Sequence, residues 1–397
     1  MIKKKILIFS LAYYPRFIGG DAVAIKETTD RISPSEIEFH MVTLQFDSTL
    51  PRQEKIGNIF VHRIGFALRN PSISDLKRFP LHYTKALYQI SAALKGASLN
   101  RKYHFDALWA VMAHSAGIPV VLFKLFHPRM PYLLTLQEGD PPGHVEHVMR
   151  PFWPFFTRAF TQASAMQTIS TFLAQWARRR GFRGPLEVVP NGVDVELFTR
   201  VHSPLELESL KKILGKKKGE VCLITTSRLV HKNGLDTVIQ ALPLISRNIH
   251  FLVLGIGPDE KKLKDLAETL GVSDRVKFLG QVDHAQMPKY LRISDIFIRP
   301  SRSEGMGNSF IEAMAVGIPI IGTMVGGITD FLKDRETGFV CGVEDPQSIA
   351  DQVSFILELR NKKVVEKVVK NAQKLAEEKY DWRMIANRMR AIFQKMT

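Results

Sequence analysis

The sequence holds two cysteines in 397 residues, Cys222 and Cys341, both in apolar contexts and without metal-ligand spacing. That excludes a disulfide-built scaffold and points to core packing in a reducing, cytoplasmic compartment. No apolar stretch approaches the ~18 residues needed to span a bilayer. The longest candidate, residues 118–126, is interrupted by Lys124. No internal repeat of solenoid period appears. Helix-turn-helix, zinc-finger and RNA-binding signatures are also missing, so nucleic acid is not an expected partner. Acid is scarce: 39 Asp and Glu stand against 55 Lys and Arg, a net charge of +16.

The shortage of acid is most local between Arg150 and Arg183, where six arginines (150, 158, 178, 179, 180, 183) occur with no Asp or Glu. The aromatic run "PFWPFF", 151–156, lies in the same stretch. Basic charge beside exposed aromatics suits an anionic membrane surface, where each Lys or Arg contributes ~1 kcal/mol. Equally, the aromatics are core and the arginines a solvated face, since burial is not legible here. At the start, "MIKKKILIFSLAYY" with Ala22-Val23-Ala24 imitates a signal peptide. The same run suits a buried first strand followed by a Gly-Gly turn and a helix, which is the expectation carried forward.

What is present is β-rich runs alternating with helical ones, the pattern of parallel sheets covered by helices. In the first half strands are expected at 5–10, 38–43, 59–64, 107–111, 132–136, 165–169 and 186–190, with helices at 20–31, 81–97 and 172–180. The pattern restarts at 221–226 and continues at 251–255, 276–279, 296–299 and 320–323. Between the halves "TRVHSPLELESLKKILGKKKGE" is polar and lysine-rich, placing a boundary near residue 200. The tail from 361 is helical and broken near Tyr380-Asp381-Trp382. Two doubly wound α/β domains follow, 1–200 and 201–378, with a last segment at 379–397. Sites in such domains lie at the C-terminal ends of the strands, here in a cleft if those ends face each other.

One stretch is built for a ligand. "IFIRPS" is a strand, "SRSEGMGNS" the loop after it and "SFIEAMAVG" a helix closed by Gly317. Gly305 and Gly307 let backbone N–H groups approach a ligand, and the helix start favours phosphate. Glu304 precedes the helix, where its carboxylate can accept bonds from sugar hydroxyls. Glu312 fits that task too, but Ser309-Phe310-Ile311-Glu312 is also a capping-box pattern that needs no ligand. A second strand-to-helix loop, "TSRLVHKNG", carries Arg228 and Lys232, two cations able to clamp a diphosphate or simply two solvated charges.

Together these motifs resemble the retaining family 4 glycosyltransferases of the GT-B fold. The similarity extends to Gly19-Gly20, "VVPNGVDVELF" at 188–198, "VLGIGP" at 253–258, "VGGITDFL" at 325–332, "TGFV" at 337–340 and the terminal "YDWRMIANRM". The resemblance implies two Rossmann-like domains facing across a cleft, the first binding the acceptor and the second the nucleotide sugar, with the last helix crossing back onto the first. Arg228 and Lys232 would hold the diphosphate of a UDP- or GDP-sugar. Glu304 would contact the transferred sugar, and Gly305, Met306, Gly307, Asn308 and Ser309 would supply amides to it and to the distal phosphate. Glu312 would bind the ribose, Gly20 would lie under the diphosphate, and residues 276–280 would border the base. The family needs no metal and no further cofactor, and no Asp-x-Asp element stands in a place to hold one.

One departure concerns the reacting centre. Where many members carry a histidine after the strand matching "YLLTL", this chain has Gln137, followed by Glu138 and Asp140. Glutamine donates and accepts hydrogen bonds but is neither acid nor base. That suits a leaving phosphate that takes the acceptor proton itself. His114, ending "ALWAVMAH", is a further catalytic candidate, although a lone histidine is more often structural. The expected acceptor is a lipid-linked or growing saccharide of the cell envelope, met at an anionic membrane surface on its inner face. Two rival readings remain: a nucleotide-sugar 2-epimerase on the same architecture, and a basic surface-binding protein with a vestigial cleft.

Overall fold

The computed structural model describes residues 3–16, 19–72 and 74–396. The chain divides into two compact units, the first running to Asn191 and resuming at Trp382, the second spanning Gly192–Asp381. In the first unit the order is β1 (Lys4–Phe9), α1 (Gly20–Asp30), β2 (Ile37–Leu44), β3 (Gln53–Ile56), β4 (Ile59–Ile64), α2 (Leu81–Tyr103) and β5 (Ala107–Val111). It continues with α3 (Ala113–Phe126), β6 (Tyr132–Leu136), α4 (Pro142–Val148), α5 (Trp153–Thr161), β7 (Ala165–Thr168), α6 (Thr171–Arg179) and β8 (Leu186–Val188). The second unit begins with α7 (Val195–Thr199), α8 (Pro204–Ile213), β9 (Val221–Thr226), α9 (Leu235–Ala241), β10 (Ile249–Leu254), α10 (Glu260–Thr269), β11 (Val276–Gly280) and α11 (Met287–Arg292). It closes with β12 (Ile296–Arg299), α12 (Asn308–Val316), β13 (Ile320–Gly322), β14 (Phe339–Val340), α13 (Pro346–Leu357) and α14 (Lys362–Lys379). Helix α15 (Trp382–Met396) then belongs to the first unit again.

The first sheet has the order β3-β4-β2-β1-β5-β6-β7-β8, and the second β11-β10-β9-β12-β13-β14. Every pairing is parallel except β3 on β4. Central strands of such sheets are covered on both faces and read as unbroken apolar runs. Ile6, Leu7, Ile8 and Phe9 of β1 are all fully buried, as are Ile296, Phe297 and Ile298 of β12. Strand order reverses between β1 and β5 in one sheet and between β9 and β12 in the other. Those are the switch points where doubly wound sheets open a crevice at the strand C-termini.

Residues 200 and 378, where the sequence suggests boundaries, fall inside the second unit. The reason is local. Asp194 caps α7, Arg292 donates to the Phe198 carbonyl at 3.1 Å, and Phe198 is fully buried. The Val193 N–H also donates to the Tyr380 carbonyl at 2.7 Å. The polar stretch after residue 198 is no bare linker, since α8 forms there on a capping box between Ser203 and Glu206. Helix α15 sits on the first sheet, with the Phe393 ring 5.7 Å from Phe39 and 5.0 Å from Trp109.

The aromatic and arginine stretch 150–183 is partly core. Phe156, Phe160 and Trp176 are buried, and Arg180 stacks 4.1 Å over Trp153 and donates to Thr157. Arg178 donates to the carbonyls of Phe182 and Gly184, and Arg183 to that of Arg178. Phe152 and Trp153 stay exposed.

A buried histidine pair marks the β2–β4 seam. His40 Nδ1 and His62 Nε2 are 3.1 Å apart, their rings stacked with an 8° tilt. Burial, then the neighbouring His40, pushes His62 down to about 4, and burial lowers His40 against the opposing pull of Glu38. Unfolded histidines titrate near 6.5, so the unfolded chain binds more protons between that value and about 4, and stability falls as pH drops through this window. The expected loss approaches ~1.4 kcal/mol per pH unit for His62. A His62→Gln variant should flatten the decline of Tm between pH 6.5 and 5, measured by calorimetry; an unchanged slope would acquit the pair.

Candidate active site

In the second unit the site is organised by Arg299, the last residue of β12. It is a cation at the end of an apolar strand, only 6% exposed. Its Nη2 donates to Glu304 Oε2 at 2.9 Å and its Nη1 to Ser309 Oγ at 2.8 Å, while its guanidinium lies 4.8 Å over the Phe310 ring. Burial is the largest influence on Arg299 and pulls its pKa down; the charges of Glu304 and Glu312 push back, and that of Arg228 adds to the fall. Arginine stays charged through such shifts. Glu304, Glu312 and Arg228 are thus within electrostatic reach of one buried cation.

The glycine-rich loop wraps this arginine. Glu304 Oε1 accepts the Gly305 N–H at 3.1 Å, so both carboxylate oxygens are held. Gly305, Met306 and Gly307 are buried, and Asn308 opens α12. Gly307 has φ +95°, and a Cβ there would lie 2.6 Å from Arg299 Nη2 and 2.9 Å from the Phe310 ring. Only glycine meets both conditions. From the β13 side the Gly327 N–H donates to the Glu304 carbonyl at 3.0 Å.

The capping box, the rival role for Ser309 and Glu312, does not form. The N-cap is Gly307, with no side-chain cap. Ser309 is already inside the helix and its hydroxyl accepts from Arg299. Glu312, one turn on, instead meets His284, with 2.9 Å between Oε1 and Nε2. His284 comes from the short turn after β11, its ring 5.3 Å from that of Phe198. Beside that turn a groove is lined by Leu210, Leu279, Asp283 and Tyr290, at the end of the strand expected to border a base.

Arg228 and Lys232 lie in the loop between β9 and α9, as expected, with the Arg228 side chain exposed. A second arginine fastens that loop to the first. Arg302 donates to both carboxylate oxygens of Asp236 at 2.8 Å, to the His231 carbonyl at 2.7 Å and to Glu344 at 2.6 Å. Its own N–H donates to the Lys232 carbonyl at 2.7 Å. The Asp236 bond, outweighing burial, raises its pKa. The two loops nearly touch at Gly234, whose φ is +70° and where a Cβ would lie 2.0 Å from the Pro300 carbonyl.

In the first unit the candidates gather at the ends of β5 and β6. Glu138 is 1% exposed, and its Oε1 accepts the Ala113 N–H at 2.6 Å, covering an unpaired donor at the start of α3. The same oxygen lies 3.5 Å from His114 Nδ1. Burial works against a charge on His114, but the bond and charge of Glu138, with Asp140 and Asp21, outweigh it and raise the pKa. Gln137 accepts from the Asn191 amide at 3.3 Å. Gly20 begins α1 and is exposed; residues 17 and 18 before it lie outside the described residues. Among the described residues no three His, Cys, Asp or Glu side chains gather as a metal site.

Sequence reasoning missed Arg299, Arg302, His284 and Asn191 as parts of these arrangements. Arg299 left a signal, a charge at the end of a wholly apolar strand. The others left none, because their partners are distant in sequence.

Two outcomes follow. Arg302→Ala should lower stability by about 2–3 kcal/mol by stranding Asp236, and should speed amide exchange across 228–234. Arg302→Lys should recover only part, lacking the forked donor; equal exchange in all three proteins would disprove the fastening role. For His114, a raised pKa means its pairing stabilises the fold below pH 6.5 and is lost as pH rises through the folded value. In Glu138→Gln the His114 titration, followed by NMR, should move to lower pH.

Two family descriptions match. Residues 207–385 match glycosyl transferases group 1, and residues 18–197 match glycosyltransferase family 4. The chain is 34% identical over 212 residues to a GDP-mannose-dependent alpha-(1-6)-phosphatidylinositol monomannoside mannosyltransferase of Mycobacterium tuberculosis, covering 49% of this chain and 54% of that protein. The match thus spans about half the length of that relative. It is 30% identical over 367 residues to N-acetyl-alpha-D-glucosaminyl L-malate synthase of Bacillus anthracis, covering 88% of this chain and 87% of that one. Among solved structures, HepE of Anabaena in complex with UDP-glucose superposes with a TM-score of 0.78 at 20% identity, covering 98% of this chain and 99% of the other. The fold is that of GT-B glycosyltransferases, and the chain belongs to glycosyltransferase family 4.

Proposed function

We propose that the chain transfers a sugar from a nucleoside-diphosphate donor to an acceptor hydroxyl with retention of anomeric configuration and without a metal ion. The observation that carries this reading is the cluster around Arg299: a carboxylate, Glu304, fixed beside glycine-loop amides and a helix start, within reach of the Arg228 charge. Arg228 and Lys232 meet the diphosphate, and the amides of Gly305 to Ser309 meet the distal phosphate and the sugar. Glu304 accepts from sugar hydroxyls, and Arg299 keeps it oriented. Glu312, steadied by His284 through Oε1, presents Oε2 to the ribose. Gly20, at the start of α1, is a further proposed contact to the diphosphate.

The same cations stabilise charge on the departing nucleoside diphosphate, the role a metal fills elsewhere. Gln137 donates to the sugar or acceptor, and the leaving phosphate takes the acceptor proton. His114, held near Glu138, stands beside the acceptor, its pKa raised by that carboxylate. The acceptor is a lipid-linked or growing saccharide met at the cytoplasmic face of a membrane. Support for a lipid-borne acceptor comes from the phosphatidylinositol mannoside in the name of the mycobacterial relative. Relatives and neighbours name both guanosine and uridine donors, so either fits.

A calorimetric panel of UDP- and GDP-sugars should return one preferred donor. Arg228→Ala and Lys232→Ala should each weaken it by about tenfold to a hundredfold, the equivalent of one charge-assisted bond. Turnover should survive EDTA, and the product's anomeric proton, read by NMR, should keep the donor's configuration. An epimerised sugar released from donor alone, inverted product, or loss of turnover in EDTA would each overturn the corresponding part.

A further inference from the structure

Helix α2 carries two apolar faces, and only one is covered. Leu81, Thr84, Tyr88, Ala92, Gly96 and Leu99 pack inward. On the other side Phe79, just before the helix, and Tyr83, Leu87, Ile90 and Leu94 recur at three- and four-residue spacing, the repeat of a single helix face. All five are exposed, from 51% at Leu87 to 76% at Phe79. At 1.5 Å per residue the ridge runs roughly 20 Å. Leu125 and Phe126 also lie exposed, at the end of α3, which packs along α2. Exposed apolar residues are ordinary when scattered, whereas a contiguous row marks a contact surface.

Charge decides what covers it. From Leu76 to Phe105 the sequence has no Asp or Glu. Arg78 stands exposed at the start of the ridge, and Arg101 and Lys102 stand exposed at its end, with Arg101 continuing the spacing from Leu94. The bordering acids are engaged locally, Asp75 with the Ser72 hydroxyl and, at 3.9 Å, with the exposed Arg78, and Asp106 with the Lys5 N–H. A second copy of the chain on this face would set one acid-free surface against another. A convex apolar ridge ending in cations instead matches the boundary of an anionic bilayer, where apolar side chains enter and basic ones meet lipid phosphates. We propose that α2 is the surface by which this protein lies on an anionic membrane. The contact moves away from 150–183, where Arg178, Arg180 and Arg183 are engaged in holding their own fold. This inference does not depend on the proposed chemistry.

The test is co-sedimentation of the full chain with vesicles of phosphatidylcholine alone or mixed with phosphatidylglycerol. Binding should require phosphatidylglycerol and weaken with salt. A Leu87→Ser, Ile90→Ser, Leu94→Ser triple variant should keep its Tm and donor affinity while losing vesicle affinity by on the order of tenfold or more. Because Cys222 and Cys341 are each 3% exposed, a dye on Ile90→Cys should report a blue shift with anionic vesicles alone. Three results would overturn the assignment: wild-type vesicle binding by the triple variant, loss of binding through Arg179→Glu instead, or a dimer that the triple variant dissolves. Failure of donor binding would leave these readouts untouched, so the two readings stand or fall separately.

Discussion

A single buried guanidinium, that of Arg299, holds the second unit's site together. Removing a cation from water is unfavourable unless its donors find acceptors, and here the two terminal nitrogens find Ser309 and Glu304, one on each side of the glycine-rich loop. The loop therefore closes around the arginine rather than around any ligand. Gly307 follows from that closure, because a Cβ would occupy the guanidinium's space. Arg302, three residues on, extends the constraint outward to the Arg228–Lys232 loop through Asp236 and two backbone carbonyls. Two arginines, one ending the strand and one just after it, thus hold both loops in place while the Arg228 side chain stays exposed.

The first unit solves the same problem with the opposite sign. Its organising group is an anion, Glu138, buried against the start of α3. That carboxylate covers a helix-terminal donor and holds His114 beside it. The two units share a topology of parallel strands and crossover helices, yet their crevices are set up by different charges. The topology dictates only where a site forms; which chemistry it performs is decided by the few polar residues admitted to the strand ends.

Much of this architecture is legible in the sequence because parallel strands buried on both faces leave unbroken apolar runs. Strands β4, β5, β6, β9 and β12 begin and end where the pattern says. Strand β3, "QEKI", is missed because it is a polar edge strand, half solvated and paired on one side only. Strand β14 has two residues, too few for any period. The glycine loop and the helix that follows it are readable, since glycine spacing and a helix start are local features. The partners of those glutamates are not readable. Glu304 is claimed by a strand residue and Glu312 by a turn 28 positions away, contacts that exist only once the sheet has assembled. The capping-box pattern misleads for the same reason: Arg299 takes the Ser309 hydroxyl that a local rule would assign to the Glu312 N–H.

Helix α15 has a consequence for how the protein is made. Trp382, Ile385, Met389, Ile392 and Phe393 belong to the same core as Phe39 and Trp109 of the first sheet. Each such side chain contributes roughly 1.5–3 kcal/mol on burial. During synthesis the first sheet emerges early, while this cover emerges only after the whole second unit has been translated. For that interval the nascent first unit carries a wet apolar face, and its core stays incomplete until the last helix follows the second unit. Any chain ended short of residue 382 therefore leaves the first unit without its cover, whereas the second unit, continuous from Gly192 to Asp381, is already complete by then.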